Sequence, residues 1–158
     1  MNADIEVRQK DTSGGEPVAD ISVKTSNLSG VNIPVELIPA AIDEFPAIFI
    51  AAACADGVTV LRGAEELRHK ESDRISVMAD GLRNLGIKVE TYPDGISITG
   101  GNMTGGFVDA CGDHRVAMAF SMATLKASGT VSIKNADGIS TSFPTFFEVA
   151  KSAGLRIK

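Results

Sequence analysis

The sequence predicts an α/β fold of the α+β type built on an internal repeat, and three observations carry that prediction. Short β-branched runs alternate with helical periodicity, as where Val58-Thr59-Val60-Leu61 is followed by the apolar stripe Ile75, Met78, Ala79, Leu82, Leu85. Asp43 to Glu90 and Asp113 to Lys158 both read as helix, strand, loop, helix, strand, with Asp113 standing 70 residues after Asp43; that period is too long for a common solenoid. In each copy the second helix ends in Gly and a strand follows at once, at Leu85-Gly86-Ile87 and at Ala153-Gly154-Leu155. The chain has 158 residues, 44% of them hydrophobic and 22% charged, enough for one domain with a sizeable core.

Taken in order, Asp4 to Arg8 alternates as a strand, Thr12-Ser13-Gly14-Gly15 turns, and Ala19 to Thr25 alternates again, which suggests a hairpin with a long loop. Val31 to Val35 reads as a short strand closed by Ile38-Pro39. Asp43 stands where an N-cap belongs, and Phe45 to Ala55 forms a helix that is apolar nearly all round and must be buried on most sides. Gly57 ends it before the strand Val58–Leu61. After the helix that closes at Gly86, Ile87 to Glu90 and Ile96 to Ile98 pair as a hairpin around Pro93-Asp94-Gly95. Phe107 to Ala110 is a strand, Val116 to Ala127 a second small-residue helix, and Thr130 to Ile133 a strand. Ser142 caps a third helix with Pro144 in its first turn, and Leu155 to Lys158 is a last strand. The opening strand lacks the helix that should precede it, so the chain is expected to begin inside a further copy and to be part of a longer protein.

Composition narrows the function classes. The net charge is −5, there is no Trp and one Tyr, and no aromatics interleave with basic residues, which argues against a nucleic-acid surface. No uninterrupted apolar run is long enough for a bilayer, and no signal peptide is visible, so a cytoplasmic protein is expected. Cys54 and Cys111 have no metal or redox spacing and are expected as buried free thiols.

Against this acidic background, Glu66 to Arg74 concentrates charge: seven of its nine residues are charged or imidazole, and four are potential cations. If the following helix already includes Lys70, then Lys70 and Arg74 share a face, where an anion between them would turn repulsion into binding. Glu71 and Asp73 could equally neutralise the cations on a solvated helix start.

Four stretches together resemble the EPSP synthase (3-phosphoshikimate 1-carboxyvinyltransferase) family. Leu67-Arg68-His69-Lys70-Glu71-Ser72-Asp73-Arg74 is similar to its L-R-x-K-E-[ST]-D-R signature, and Ile42-Asp43-Glu44-Phe45-Pro46, Asp113-His114-Arg115-Val116-Ala117-Met118 and Thr141-Ser142-Phe143-Pro144 follow in the family's order and spacing. The resemblance covers residues 30 to 158 and implies repeated βαβαββ units, about two and a half here. They would form a single truncated domain over residues 1–158, with the family's second, amino-terminal domain absent. It implies transfer of the enolpyruvyl group of phosphoenolpyruvate to the 5-hydroxyl of shikimate 3-phosphate, with no metal or organic cofactor, in aromatic amino acid biosynthesis. On that resemblance Asp43 is the proton acceptor, Glu71 the proposed proton donor, and Lys70 a contact of the shikimate substrate. Arg74 and Arg115 bind phosphoenolpyruvate, with His114 beside Arg115.

From the residues alone, Asp43 could be only an N-cap, Glu71 a surface partner of Arg74, and His114 a capping or surface residue. The chain departs from the commonest family pattern at Glu66, where an Asn often touches substrate, and at Thr141, where a Lys often holds phosphate; some members share both departures. The family's Lys-Ser-x-x-x-Arg cluster and Ser-Ser-Gln phosphate site have no counterpart here. An enolpyruvyl transferase acting on UDP-N-acetylglucosamine shares the repeat but not the Lys70-Glu71-Ser72-Asp73-Arg74 signature. A non-catalytic binding domain of the same repeat would not need Asp43, Lys70, Arg74 and Arg115 together. The five residues Asp43, Lys70, Glu71, Arg74 and Arg115 are expected on one exposed face, and the isolated chain is expected to fold but not to turn over.

Overall fold

A computed structural model of the chain describes residues 1–157. Strands β1 (Asp4–Ser13) and β2 (Glu16–Lys24) form an antiparallel hairpin. Its turn is tight, because Gly14 and Gly15 take φ of +61° and +90°; two left-handed residues match the strand twist. The long loop expected from sequence is therefore absent. Ile5, Val7, Ile21 and Val23 share one face of this hairpin and stay exposed.

The expected strand at Val31–Val35 is reduced to two parallel bridges, Ser29 to Asp56 and Asn32 to Val60. Pro34 has no N–H to continue the ladder, and the chain instead turns through a 3₁₀ segment, Val35–Leu37, into α1 (Ile38–Ala41). Helix α2 (Phe45–Ala53) then crosses back to β3 (Val58–Leu61). After a 3₁₀ turn at Glu65–His69 come α3 (Arg74–Asn84), β4 (Lys88–Tyr92) and β5 (Gly95–Thr99). β5 lies between β3 and β4, antiparallel to both. This completes one βαβαββ unit.

The pattern then restarts. β6 (Gly106–Asp109) and β7 (Val131–Lys134) pair in parallel across α4 (His114–Ala123), repeating the bridged segment, α2 and β3. The predicted third helix is two pieces, α5 (Gly138–Ser142) and α6 (Phe146–Ser152). Ser142 closes α5 rather than capping α6, since Pro144 cannot donate within a continuous helix. Leu155–Ile157 has no strand partner among the described residues, and Lys158 of that expected strand lies outside them.

The repeat is audible in the hydrogen bonds. Gly86 and Gly154, at φ +85° and +99°, close α3 and α6 identically. Ile87 N donates to Leu82 O at 3.0 Å and Gly86 N to Arg83 O at 2.9 Å; Leu155 N donates to Ala150 O at 2.9 Å and Gly154 N to Lys151 O at 3.0 Å.

α2 and α4 pack side by side in the core, as their small residues predict; Phe49, Ala52 and Ala53 on one and Ala117, Phe120 and Ala123 on the other are fully buried. α3 sits tight against α4 because Gly81 leaves room for Phe120: a Cβ on Gly81 would come within 2.3 Å of that ring. This close approach brings the amino-terminal ends of α3 and α4 together. Cys54 is half-buried and Cys111 exposed, in a turn at φ +50°, so the expectation of two buried thiols holds only in part. No helix is long and apolar enough to cross a membrane among the described residues.

Candidate functional site

The charged residues of this stretch do not act alike. Asp73 caps α3 by accepting from Ser76 N at 3.0 Å. Arg68 fixes that cap, donating to Asp73 Oδ2 at 2.7 Å and to the carbonyls of Pro93 and Tyr92 in the β4–β5 turn at 2.7 and 2.6 Å. Because the cap lies at Asp73, α3 begins at Arg74. Lys70 ends the preceding 3₁₀ turn instead, so Lys70 and Arg74 do not share a helix face.

Arg74 is the centre of the site. Its side chain is 0% exposed, and each guanidinium nitrogen donates to a different carboxylate. Nε meets Asp113 Oδ2 at 2.9 Å, Nη1 meets Asp43 Oδ1 at 2.9 Å, and Nη2 meets Glu71 Oε2 at 2.6 Å. A buried cation survives only when so matched. Asp43 and Asp113 belong to successive copies of the repeat, so one arginine joins the starts of α2 and α4.

Asp43 is not the N-cap of α2; that position is Glu44, whose side chain makes no capping hydrogen bond among the described residues. Its carboxylate turns to the cations instead, with Arg115 Nη2 at 3.6 Å and Lys70 Nζ at 4.0 Å besides Arg74. The hydrogen bond from Arg74, reinforced by the charges of Arg115 and Lys70, holds its pKa below the ordinary carboxylate value. Asp43 is thus a carboxylate at neutral pH, 45% exposed and able to accept a proton. Arg115 also donates to Asp43 O at 3.1 Å and pairs with Glu44 at 3.4 Å. Lys70 pairs with Glu66 at 2.5 Å.

Asp113 caps α4, accepting from Arg115 N at 3.0 Å and Val116 N at 3.4 Å, and takes a further bond from Ser72 Oγ at 3.0 Å. Burial raises its pKa, but Arg74, Ser72 and Val116 more than offset this and hold it below the ordinary value. The sequence marked Asp113 only as a helix start; its bond to Arg74 crosses 39 residues and left no local signal. Ser72, Glu44 and Arg68 were likewise not singled out.

Asp43, Lys70, Glu71, Arg74 and Arg115 therefore do converge, as expected, but Arg74 is buried among them rather than exposed. His114 sits at the start of α4, part-buried, and its ring makes no hydrogen bond or ion pair among the described residues. Glu66 is exposed and neutralises Lys70, and Thr141 is exposed on α5. Among the described residues, no group of three or more His, Cys, Asp and Glu side chains could hold a metal ion. A groove of about 140 Å³ opens beside Asp43 and Arg115, between Pro46 and Ala47 of α2 and Met118, Ala119 and Met122 of α4. It is too small to enclose a substrate, for which roughly 300–1,000 Å³ is usual. A larger cavity of about 960 Å³ runs along β7 and α6 and touches none of these charged residues. The charges, not the volume, mark the site.

A family model described as EPSP synthase (3-phosphoshikimate 1-carboxyvinyltransferase) matches residues 1–150. The 3-phosphoshikimate 1-carboxyvinyltransferase of Nitrosococcus oceani is 59% identical to this chain over 158 residues and that of Methylococcus capsulatus 55%, each match covering 100% of this chain and 36% of the relative. EPSP synthase from Acinetobacter baumannii superposes with a TM-score of 0.97 at 51% identity, over 100% of this chain and 38% of that one. The enolpyruvyl transferase NikO from Streptomyces tendae superposes with a TM-score of 0.66 at 20% identity, over 99% of this chain and 34% of that one, a likeness of fold alone. The chain thus spans about 36% of the length of the curated relatives it matches.

Proposed function

The chain belongs to the EPSP synthase family, and we propose that it serves as the carboxy-terminal part of a cytoplasmic 3-phosphoshikimate 1-carboxyvinyltransferase. Residues 1–158 form one truncated enolpyruvyl transferase domain, and the family's other domain comes from the remainder of the protein. The reaction adds the 5-hydroxyl oxygen of shikimate 3-phosphate to C2 of phosphoenolpyruvate while a proton joins the methylene carbon. The tetrahedral adduct then loses phosphate from C2 and a proton from the new methyl group, which restores the enol double bond.

Asp43 takes the hydroxyl proton and Glu71 supplies the methylene proton. Lys70 meets the shikimate substrate, Arg74 and Arg115 meet phosphoenolpyruvate, and His114 lies beside Arg115. The observation that carries this reading is the convergence of Asp43 and Glu71 on Arg74, with Lys70 and Arg115 flanking Asp43. An incoming anion that draws on Arg74 and Arg115 relieves their hold on Asp43, whose basicity then rises where a base is needed.

The chain alone is expected to be inactive. Asp43, Glu44, Glu66, Glu71 and Asp113 set five carboxylates against the cations Lys70, Arg74 and Arg115. Two polyanionic substrates therefore need cations from the rest of the protein and a closed cleft that excludes water. The test is inorganic-phosphate release from phosphoenolpyruvate and shikimate 3-phosphate by the 158-residue chain and by the longer protein. Turnover by the longer protein alone supports the reading. No turnover by either defeats it, and turnover by the chain within about tenfold, a gap of only ~1.4 kcal/mol, shows the remainder to be dispensable.

A further inference from the structure

We infer that Asp113 is a positioning residue that locks the two arginines of the site into one fixed relation. The inference rests on the reading above, since it concerns how phosphoenolpyruvate is held. Asp113 is wholly buried and touches no solvent. One of its oxygens, Oδ2, binds the Arg74 side chain at Nε and the Ser72 hydroxyl; the other, Oδ1, binds the backbone N–H groups of Arg115 and Val116. A single planar group therefore ties the guanidinium of Arg74 to the helix turn from which Arg115 projects.

The choice of nitrogen matters. Nε lies on the stem of the guanidinium, so a bond there fixes its plane. Nη1 and Nη2 are left to Asp43 and Glu71, whose side chains are 45% and 52% exposed. An anion can displace those half-exposed partners while the bond to Asp113 stays, so Arg74 is presented rather than merely paired. Arg115, 33% exposed, stands on the same turn and closes the other side.

A bare capping role for Asp113 makes a different prediction. Asparagine caps helices as well as aspartate does, so Asp113→Asn keeps α4. Its amide has one acceptor oxygen, however, and if this serves the helix, the NH₂ confronts Arg74 Nε–H. The test uses the longer protein, with phosphoenolpyruvate and shikimate 3-phosphate varied in turn, alongside thermal unfolding. Asp113→Asn is expected to raise KM for phosphoenolpyruvate roughly tenfold or more, the loss of one charge-assisted bond, and to leave KM for shikimate 3-phosphate within about twofold. Ser72→Ala, which leaves the carboxylate in place, is expected to raise the same KM about two- to threefold, and it decides the matter if Asp113→Asn does not fold. Val89→Ala, a buried change on β4 away from the site, is expected to lower the Tm and leave both KM values unchanged.

Equal rises in both KM values, an unchanged KM for phosphoenolpyruvate, or the same KM split in Val89→Ala overturns the inference. If the unsubstituted protein binds phosphoenolpyruvate by calorimetry without turnover, the functional reading falls alone, and the inference is judged by whether Asp113→Asn weakens that binding by the same factor. No binding by the unsubstituted protein overturns both.

Discussion

Asp43 and Asp113 stand at the heads of equivalent helices, 70 residues apart, and both hold the guanidinium of Arg74. Asp113 is 0% exposed and caps its helix; Asp43 is 45% exposed, caps nothing, and faces three cations. The repeat has delivered one carboxylate twice, and burial has separated their work. The sealed copy fixes geometry. The open copy, relieved of capping by a turn at residues 42–44, is left with a charged carboxylate at the surface, where chemistry can reach it.

The contrast is most sharply tested by removing each carboxylate. Asp113→Ala strips Arg74 of its sealed partner and α4 of its cap, and an expected loss of about 3–5 kcal/mol follows from breaking a buried pair. Asp43→Ala is expected to cost less, about 1 kcal/mol, since Asp43 is itself half-exposed and the buried Arg74 keeps Asp113 and Glu71 as partners. Urea unfolding of both variants measures the difference, and equal losses would erase the division of labour. Activity should invert the order: Asp43→Asn in the longer protein is expected to lower kcat about 10²- to 10⁴-fold with little change in stability.

Acid sharpens the same comparison. Both carboxylates have folded pKa values below their unfolded value, which is about 3.9. Each therefore contributes stability that is fully present above about pH 4 and drains away as pH falls through the folded value. Asp113→Asn, which removes the sealed carboxylate, should flatten the fall in stability below about pH 4 more than Asp43→Asn does. Thermal unfolding across that range checks it, and equal slopes would mean that burial does not distinguish the two.

Smaller effects compare the repeats elsewhere. Gly86→Ala and Gly154→Ala both place a Cβ at positive φ, at an expected cost of about 1 kcal/mol each. Gly86 should lose slightly more, because its Cβ meets Thr104 Oγ1 at 3.4 Å while that of Gly154 meets open space. Equal denaturant midpoints would make the contact irrelevant. Smallest of all is Thr59→Val. Thr59 is buried, its hydroxyl without a partner among the described residues, and counting from Gly57 and Gly129 its counterpart in the second copy is Val131. The substitution is expected to be neutral or to stabilise by up to about 1 kcal/mol, and a clear loss would reveal a partner for the hydroxyl.

The sequence alone determined the alternation of helices and strands, the repeat, the burial of the two small-residue helices and the family. These depend on period, on glycine at positive φ and on motif spacing, all of which are local. It also marked Asp43, Lys70, Glu71, Arg74 and Arg115 as one group. The tertiary structure decided which of them are sealed and which open. The frame of α3 turned on Asp73 and not Lys70, because Arg68 ties that cap to the β4–β5 turn. Asp43 left its expected cap because three cations surround it, brought there by separate segments of the chain. The pairing of Arg74 with Asp113 spans two copies of the repeat and depends on how closely α3 approaches α4 at Gly81 and Phe120. Such contacts have no period and no spacing, so only the packed fold could reveal them.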